Sequence, residues 1–247
     1  MVGDAENQVD LAVHINADAA QVWTMLREPS KVAQWHGWEY DELDEEIKQI
    51  FFTDVKEDDH HCILTVNGGD KFTLKPVGDG TEVRLKRAPR DSGDEWAAYY
   101  EDITEGWLTF LQQLRFALER HPQTRRHTTF LSGTASESDQ PIAEKLGLAG
   151  MPEPGEEYSV TAATGEDLTG KVWFRSENQL ALTVSHYADH GHGLLIVADT
   201  PANDDHPHGG VMVIATTYDV GARDLRSIRE RWDQWRQQNY PESDPVV

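Results

Sequence analysis

The sequence contains a single cysteine, Cys62, among 247 residues. One thiol excludes an internal disulfide and any metal site built from several cysteines. Such a composition is typical of a protein from a reducing compartment. Cys62 stands in an apolar pattern that predicts a strand, with His61 on the opposite face, so we expect a core residue rather than a nucleophile.

Long hydrophobic runs are also missing. No stretch approaches the roughly 18 consecutive apolar residues of a membrane-spanning helix. The N-terminal sequence MVGDAENQVD has neither the basic nor the apolar region of a signal peptide. Hydrophobic residues nevertheless make up 38% of the chain and include eight Trp, which is enough for packed cores. The sequence therefore predicts a folded cytoplasmic protein without a membrane span.

Basic residues are scarce. The chain has 22 Lys and Arg against 44 Asp and Glu, which gives a net charge of -22. Both halves are acidic, so neither forms a basic module. A chain of this charge repels phosphate backbones and anionic membrane surfaces, which argues against nucleic acid as a partner. We attribute the acidic excess to solubility rather than to a specific function.

Motifs of common enzyme classes are missing as well. The chain has no GxSxG, glycine-rich phosphate loop, HExxH or dinucleotide fingerprint. Glu101 and Glu105 lie one helical turn apart, the spacing of an acid and base pair, but an acid-rich chain places such pairs by chance. We therefore name no catalytic residue and no cofactor, and a non-enzymatic function is favoured.

Two segments carry side chains that metal ions bind. His186, His190 and His192, followed by DDHPH at 204–208, contain the ligand atoms of a zinc or nickel site. Their spacing fixes no common geometry, because the second group stands in a loop rich in Gly and Pro. The acidic run 39–46 lacks the Gly and the alternating oxygen ligands of a calcium loop. We expect a solvated hairpin and a solvated loop, and no metal site.

The first half of the chain predicts a strand, a helix, a meander and a long helix. Alternation from Val9 to Ile15 predicts the strand, and Asn16 or Asp18 can cap the helix after it. From about Asp94 to Arg120 apolar residues recur at 3.6-residue spacing, which predicts one amphipathic helix. Turn formers separate four more strands of an antiparallel meander. These are expected at 47–53, 60–66, 71–77 and 81–88.

The second half repeats this order. The charged segment 121–127 contains a proline and predicts a boundary, which divides the chain into 1–122 and 123–247. A strand at 128–131 and a modest helix at 136–146, closed by Gly147, come next. The closing amphipathic helix runs from Ala222 to about Gln238. Five strands between the helices are expected at 158–163, 168–175, 180–186, 193–199 and 211–218. The repeated order indicates a degenerate internal duplication of about 120 residues.

Four separated motifs resemble the family of the heat-shock-protein ATPase activator homologues, which belongs to the START-like superfamily. They are ADAAQVWTML at 17–26, Trp35, GTEVRL at 80–85 and EGWLTFLQQL at 105–114. The resemblance covers about residues 9–120. For 128–240 it depends on the element order and on the closing WDQW helix. One departure is the segment from Trp35 to Ile47, which is short and acidic where the family usually carries a longer Gly-rich hairpin.

The resemblance implies an α+β fold of two helix-grip units, each with a curved antiparallel sheet wrapped on a long C-terminal helix. The unit at 1–122 would be START-like and the unit at 123–247 divergent. Members of the superfamily bind apolar ligands, cyclise polyketides or dock on a chaperone, so the fold constrains function only loosely. We expect an apolar cavity that binds a small hydrophobic or amphipathic ligand. The alternatives are a chaperone-associated interaction module and a cyclase-like enzyme.

Side chains of the long helix and the sheet would line this cavity. Gly costs about 1 kcal/mol relative to Ala inside a helix, so Gly106 is expected where a strand or a ligand approaches closely. The competing interpretation is that the aromatic residues only form a core. The candidate ligand-binding residues are Trp35, Phe72, Trp96, Tyr100, Gly106, Trp107, Phe110 and Leu111.

Overall fold

A computed structural model describes residues 9–66, 68–88, 94–202, 207–243 and 246, with the backbone alone for 94–103. The chain divides into two compact units, Met1–Pro122 and Gln123–Val247. Each unit has an antiparallel sheet and ends in or near a long helix. The predicted α+β class is confirmed. No helix of the described residues is long and apolar enough to cross a bilayer.

The first unit contains a five-stranded sheet in which the first strand pairs with the last. The order across the sheet is β1-β5-β4-β3-β2, with every neighbouring pair antiparallel. Its elements in chain order are β1 (Asp10–Ile15), α1 (Ala19–Arg27), α2 (Pro29–Val32), α3 (Leu43–Phe51), β2 (Lys56–Asp58), β3 (Ile63–Val66), β4 (Asp70–Val77), β5 (Gly80–Lys86) and α4 (Asp94–Arg120).

A capping box fixes the start of α1. The Asp18 carboxylate accepts from the backbone N–H of Gln21 at 2.8 Å, and the Gln21 side chain accepts from the backbone N–H of Asp18 at 3.2 Å. Two donors that the helix leaves unpaired are thereby satisfied. Asp18 is therefore the cap, and Asn16 is not.

The segment predicted as a strand at 47–53 is helical instead. Leu43, Ile47 and Phe51 recur every fourth residue and are all buried, which is the pattern of one helix face. Acidic residues fill the first turn of α3, where the helix dipole favours negative charge. The acidic run 39–46 is thus partly the beginning of a helix rather than a solvated loop throughout.

Cys62 lies outside the expected strand. Its φ is +50°, and it stands in the turn before β3, which begins at Ile63. The side chain is half-buried and packs against the core of the first unit. The prediction of a core residue is therefore only partly right, because the turn keeps the thiol near the surface.

The second unit contains a six-stranded sheet with the same closing pattern. The order is β6-β11-β10-β9-β8-β7, so the first strand again pairs with the last. Ile228, Trp232 and Trp235 of the closing helix pack on the core of this sheet. The elements are β6 (Arg126–Thr134), α5 (Ile142–Lys145), β7 (Glu157–Thr161), β8 (Asp167–Arg175), β9 (Gln179–Val184), β10 (Gly193–Thr200), β11 (Gly210–Tyr218) and α6 (Ala222–Asn239).

The helix predicted at 136–146 is reduced to the single turn of α5. Pro141 disfavours helical backbone at the residue before it, so the helix begins only at Ile142. Gly147, with φ +75°, follows the turn as expected. The end of the strand predicted at 180–186 is also different, because Ser185–Tyr187 forms a 3₁₀ turn.

Candidate ligand-binding site

Six rings meet in the core of the first unit, and we call them the ring cluster: Trp35, His36, Phe51, Phe72, Trp107 and Phe110. Buried His36 lies near the middle, with ring centroids 4.7 Å from Phe110 and 5.1 Å from Phe51. Phe72 of β4 meets Trp107 of α4 edge to face at 5.4 Å. Such tilted and edge-to-face contacts are the favoured geometries of aromatic pairs. The cluster thus joins α3, α4 and the sheet.

A polar arm leads from the ring cluster to Glu46. His36 Nε2 lies 2.9 Å from Glu46 Oε1, and because an ionised carboxylate only accepts, the imidazole donates. The Tyr40 hydroxyl donates to the other carboxylate oxygen. The hydrogen bond from His36 lowers the pKa of Glu46 despite its partial burial. Burial and the Glu46 carboxylate raise the pKa of Tyr40.

A second polar group, Asp70, is hydrogen-bonded to Trp107 and is almost completely buried. Both its carboxylate oxygens accept from Arg87 Nε at 3.2 Å, and Oδ2 accepts from Trp107 Nε1 at 2.9 Å. Arg87 also donates to the Thr104 hydroxyl at 2.7 Å. The exposed side-chain fractions of Arg87 and Asp70 are only 5% and 2%. This ion pair ties α4 to the ends of β4 and β5.

The structure brings several of the predicted residues together. Trp35, Phe72 and Trp107 are buried members of the ring cluster, and Phe110 is its half-buried member. Leu111 is buried in the same core. Trp35 is fully buried, and its Nε1 donates to the Met25 carbonyl at 2.9 Å.

The remaining predicted residues have other outcomes. The side chains of Trp96 and Tyr100 lie outside the described residues. A Cβ added at Gly106 would find its nearest described neighbour, the Phe110 ring, at 3.9 Å, which is an ordinary contact. No strand atom of the described residues lies within 4 Å of that Cβ, so the expected close approach of a strand is not found, and the approach of a ligand stays a prediction.

Sequence reasoning missed His36, Glu46, Phe51, Asp70 and Arg87. Phe51 falls in the strand expected at 47–53, and Asp70 falls between the strands expected at 60–66 and 71–77. The β4 and β5 register pairs Lys71 with Lys86, which sets Asp70 and Arg87 side by side at the sheet end. Opposite charges at matched hairpin positions were the one available signal.

The second unit has its own buried acid, Glu166. Its carboxylate accepts from Arg231 at 2.9 Å, from His186 Nε2 at 3.1 Å and from the Tyr187 hydroxyl at 3.2 Å. Trp232 Nε1 of α6 donates to the same hydroxyl at 3.0 Å. Burial opposes ionisation, but the hydrogen bond from His186 and the charge of Arg231 outweigh it and lower the pKa of Glu166.

The histidines considered for metal binding are separated. His186 pairs with Glu166, and His190 lies 3.4 Å from Asp189 with 93% of its side chain exposed. Residues 203–206 lie outside the described part of the chain. Within that part, no group of three or more His, Cys, Asp and Glu is placed to hold a metal ion.

Comparison with known proteins adds little. No protein-family model and no curated protein matches the chain. The crystal structure of DynU16, a protein of the dynemicin biosynthetic locus, is 16% identical with a TM-score of 0.33, covering 92% of this chain and 94% of that one. The Aha1 dimer from Colwellia psychrerythraea is 16% identical with a TM-score of 0.31, covering 46% of this chain and 96% of that one. Likenesses this distant do not identify a family for this chain.

Proposed function

We propose that the chain is a START-like binding protein of two helix-grip units, 1–122 and 123–247, whose ring cluster holds a small hydrophobic or amphipathic molecule. The observation that carries this proposal is the burial of His36 and Asp70 in contact with the aromatic rings. Small-molecule sites combine a mainly apolar and aromatic lining with a few placed polar groups, and the ring cluster with its two polar neighbours has this composition. The rings supply apolar contact, and the two polar groups orient the ligand.

Phe110 is the point of entry in this proposal. The rings touch one another, so a ligand has to displace one of them. Phe110 is the half-buried member and therefore has the least packing to lose, and its movement uncovers His36, 4.7 Å away. The adjacent Gly106 adds no side chain that would hinder this movement.

Trp107→Ala tests whether the cluster is a site or only a core. A purely structural Trp107 should cost about 3 to 5 kcal/mol of unfolding free energy when truncated. If Trp107 instead forms the wall of a site beside a displaceable ring, its truncation should cost roughly half of that free energy. The variant should then also bind a hydrophobic dye. Denaturant unfolding and dye fluorescence give the two readings. Leu114→Ala is the control, because Leu114 is buried on the same helix outside the ring cluster.

Phe110→Ala is the complementary variant. It should lower stability little and increase dye binding, because it opens the site without removing a fully buried ring. Fatty acids and aromatic compounds that raise the melting temperature of the unaltered protein would support the proposal. A Trp107→Ala protein that loses about 3 to 5 kcal/mol of unfolding free energy and binds no dye contradicts the proposal. Capture of the heat-shock ATPase without any ligand effect would instead support the chaperone-associated module.

A further inference from the structure

A pocket in the second unit is lined by residues of that unit alone. It has a volume of about 240 Å³ and opens between α5, the loop after it, the turn joining β8 and β9, and the end of β10. The volume corresponds to about eight water molecules, which suits a ligand of few atoms. Buried apolar side chains form its walls, namely Ile142, Leu148, Leu180 and Val197.

Asp199 supplies the polar group of the pocket. Its Oδ1 accepts from the backbone N–H of Ile142 at 2.9 Å. Its Oδ2 has no hydrogen-bond or ion-pair partner among the described residues, and the side chain is half-buried at the end of β10. Burial raises the pKa of Asp199, and the nearby Glu144 carboxylate adds to this effect. A carboxylate in this position is short of solvation and lacks a cation.

The other charges of the lining favour a cation as well. Glu144 and Glu177 lie exposed among the lining residues. Arg175 is the one cationic residue among the described lining residues, and its guanidinium donates to the carbonyls of Met151 and Pro152 at 2.7 and 3.2 Å. Arg175 forms no ion pair with Asp199 among the described contacts and is not among the causes of the Asp199 pKa shift. An anionic ligand would meet three carboxylates and one guanidinium.

We propose that this pocket binds a small aliphatic amine. The ammonium group donates to Asp199 Oδ2, and the hydrocarbon part lies against Leu148, Leu180 and Val197. A charge-assisted hydrogen bond combined with apolar contact is the arrangement expected of a small-molecule site. This site is separate from the ring cluster, and the inference does not depend on the function proposed for the first unit.

Calorimetric titration of the full chain with three matched compounds tests the proposal. Cyclohexylmethylamine should bind, cyclohexylmethanol should bind at least about tenfold more weakly, and cyclohexanecarboxylate should not bind. Asp199→Asn keeps the acceptor for Ile142 but removes the charge, and it should weaken amine binding about tenfold to a hundredfold. Glu230→Gln is the control and should change the affinity by less than about threefold, because Glu230 is exposed on α6 and does not line the pocket.

Equal affinity for the amine and the alcohol would overturn the inference, and so would unchanged amine binding by Asp199→Asn. If that variant does not fold, amide chemical shifts of the unaltered protein decide the matter. Shifts induced by the amine should concentrate at Leu148, Leu180 and Val197, and shifts elsewhere contradict the assignment. Phe110→Ala should leave amine binding unchanged, whereas a loss there would place the amine in the ring cluster.

Discussion

Both units fasten a C-terminal helix through a tryptophan whose indole N–H leads to a buried acid paired with an arginine. In the first unit Trp107 donates directly to Asp70. In the second unit Trp232 donates to the Tyr187 hydroxyl, which donates to Glu166. The two units share this device although the acid stands at the start of β4 in one and just before β8 in the other. The two units therefore fix their helices by the same kind of contact at different positions of the sheet.

We call each buried acid with its arginine an anchor: Asp70 with Arg87 is the first, and Glu166 with Arg231 is the second. The two anchors differ in their access to water. Arg87 and Asp70 are both almost completely buried. Arg231 and His186 expose 34% and 39% of their side chains, whereas Glu166 exposes only 2%. A dry ion pair is very sensitive to the loss of one partner, and a pair open to solvent is screened by water and salt. The stability that the first anchor provides should therefore change mainly on mutation. The stability that the second anchor provides should also change with pH and ionic strength.

The largest effect is expected from Asp70→Ala. It leaves Arg87 buried without its counter-charge, which should cost about 3 to 5 kcal/mol of unfolding free energy. Urea unfolding measures the loss. Asp10→Ala is the control, because it breaks an exposed pair with Arg84 and should change the midpoint little. Similar losses in the two variants would show that the burial of the Asp70 pair is energetically irrelevant.

Removing only the indole donors sharpens the comparison. Trp107→Phe leaves Asp70 Oδ2 without one of its donors and should cost about 1 to 3 kcal/mol. Trp232→Phe leaves the Tyr187 hydroxyl its bond to Glu166 and should cost about 0.5 to 1.5 kcal/mol. Both variants lose the same ring volume. The difference between their losses of unfolding free energy therefore reflects the difference between the two anchors. A larger loss for Trp232→Phe would reverse the proposed ranking.

An effect of similar size that also depends on pH is expected from Glu166→Gln. At neutral pH the variant should lose about 1 to 2 kcal/mol, reduced by the partial exposure of Arg231 and His186. Because folding lowers the pKa of Glu166, its contribution is present above the ordinary glutamate pKa and is lost as pH falls through the lowered value.

Unfolding of the unaltered protein and of Glu166→Gln, compared at several pH values, should therefore give curves that converge in acid. Molar salt should reduce the difference in unfolding free energy between the unaltered protein and Glu166→Gln at neutral pH. It should leave the loss caused by Asp70→Ala nearly unchanged. Exposed Glu177 offers the matched control, since Glu177→Gln should leave the profile as it is. A gap that persists in acid would contradict the assigned role of Glu166.

The sequence predicts the regular elements of this fold well where a pattern is long. The stripe from Asp94 to Arg120 coincides with α4, and the turns of the meander place β4 and β5 within a residue or two. Short patterns are less reliable. The neighbouring apolar residues Ile50, Phe51 and Phe52 look like a strand, although Leu43, Ile47 and Phe51 together form a helix face. The strand β2 is exposed throughout and has no apolar pattern to detect.

The sites are harder to predict because they depend on register and on long-range packing. Trp107, Phe110 and Leu111 stand out along one helix, and Phe72 along one strand. His36 and Glu46 meet only because α3 is a helix, and Asp70 meets Arg87 only in the observed hairpin register. The pocket at Asp199 joins segments more than fifty residues apart, from Pro141 to Asp199, and no local pattern indicates it.

The pairing of the first strand with the last in each sheet has a consequence for biosynthesis. Asp10 pairs with Lys86, and Arg126 pairs with Tyr218. Among the described residues β1 and β6 are therefore edge strands, each paired with one strand that is made later. At about 5 to 20 residues per second, each waits several seconds on the ribosome with an unpaired backbone. Closing such long loops late also slows folding. The nascent chain is therefore most exposed to wrong strand pairing while β1 or β6 has already left the ribosome and its partner strand has not.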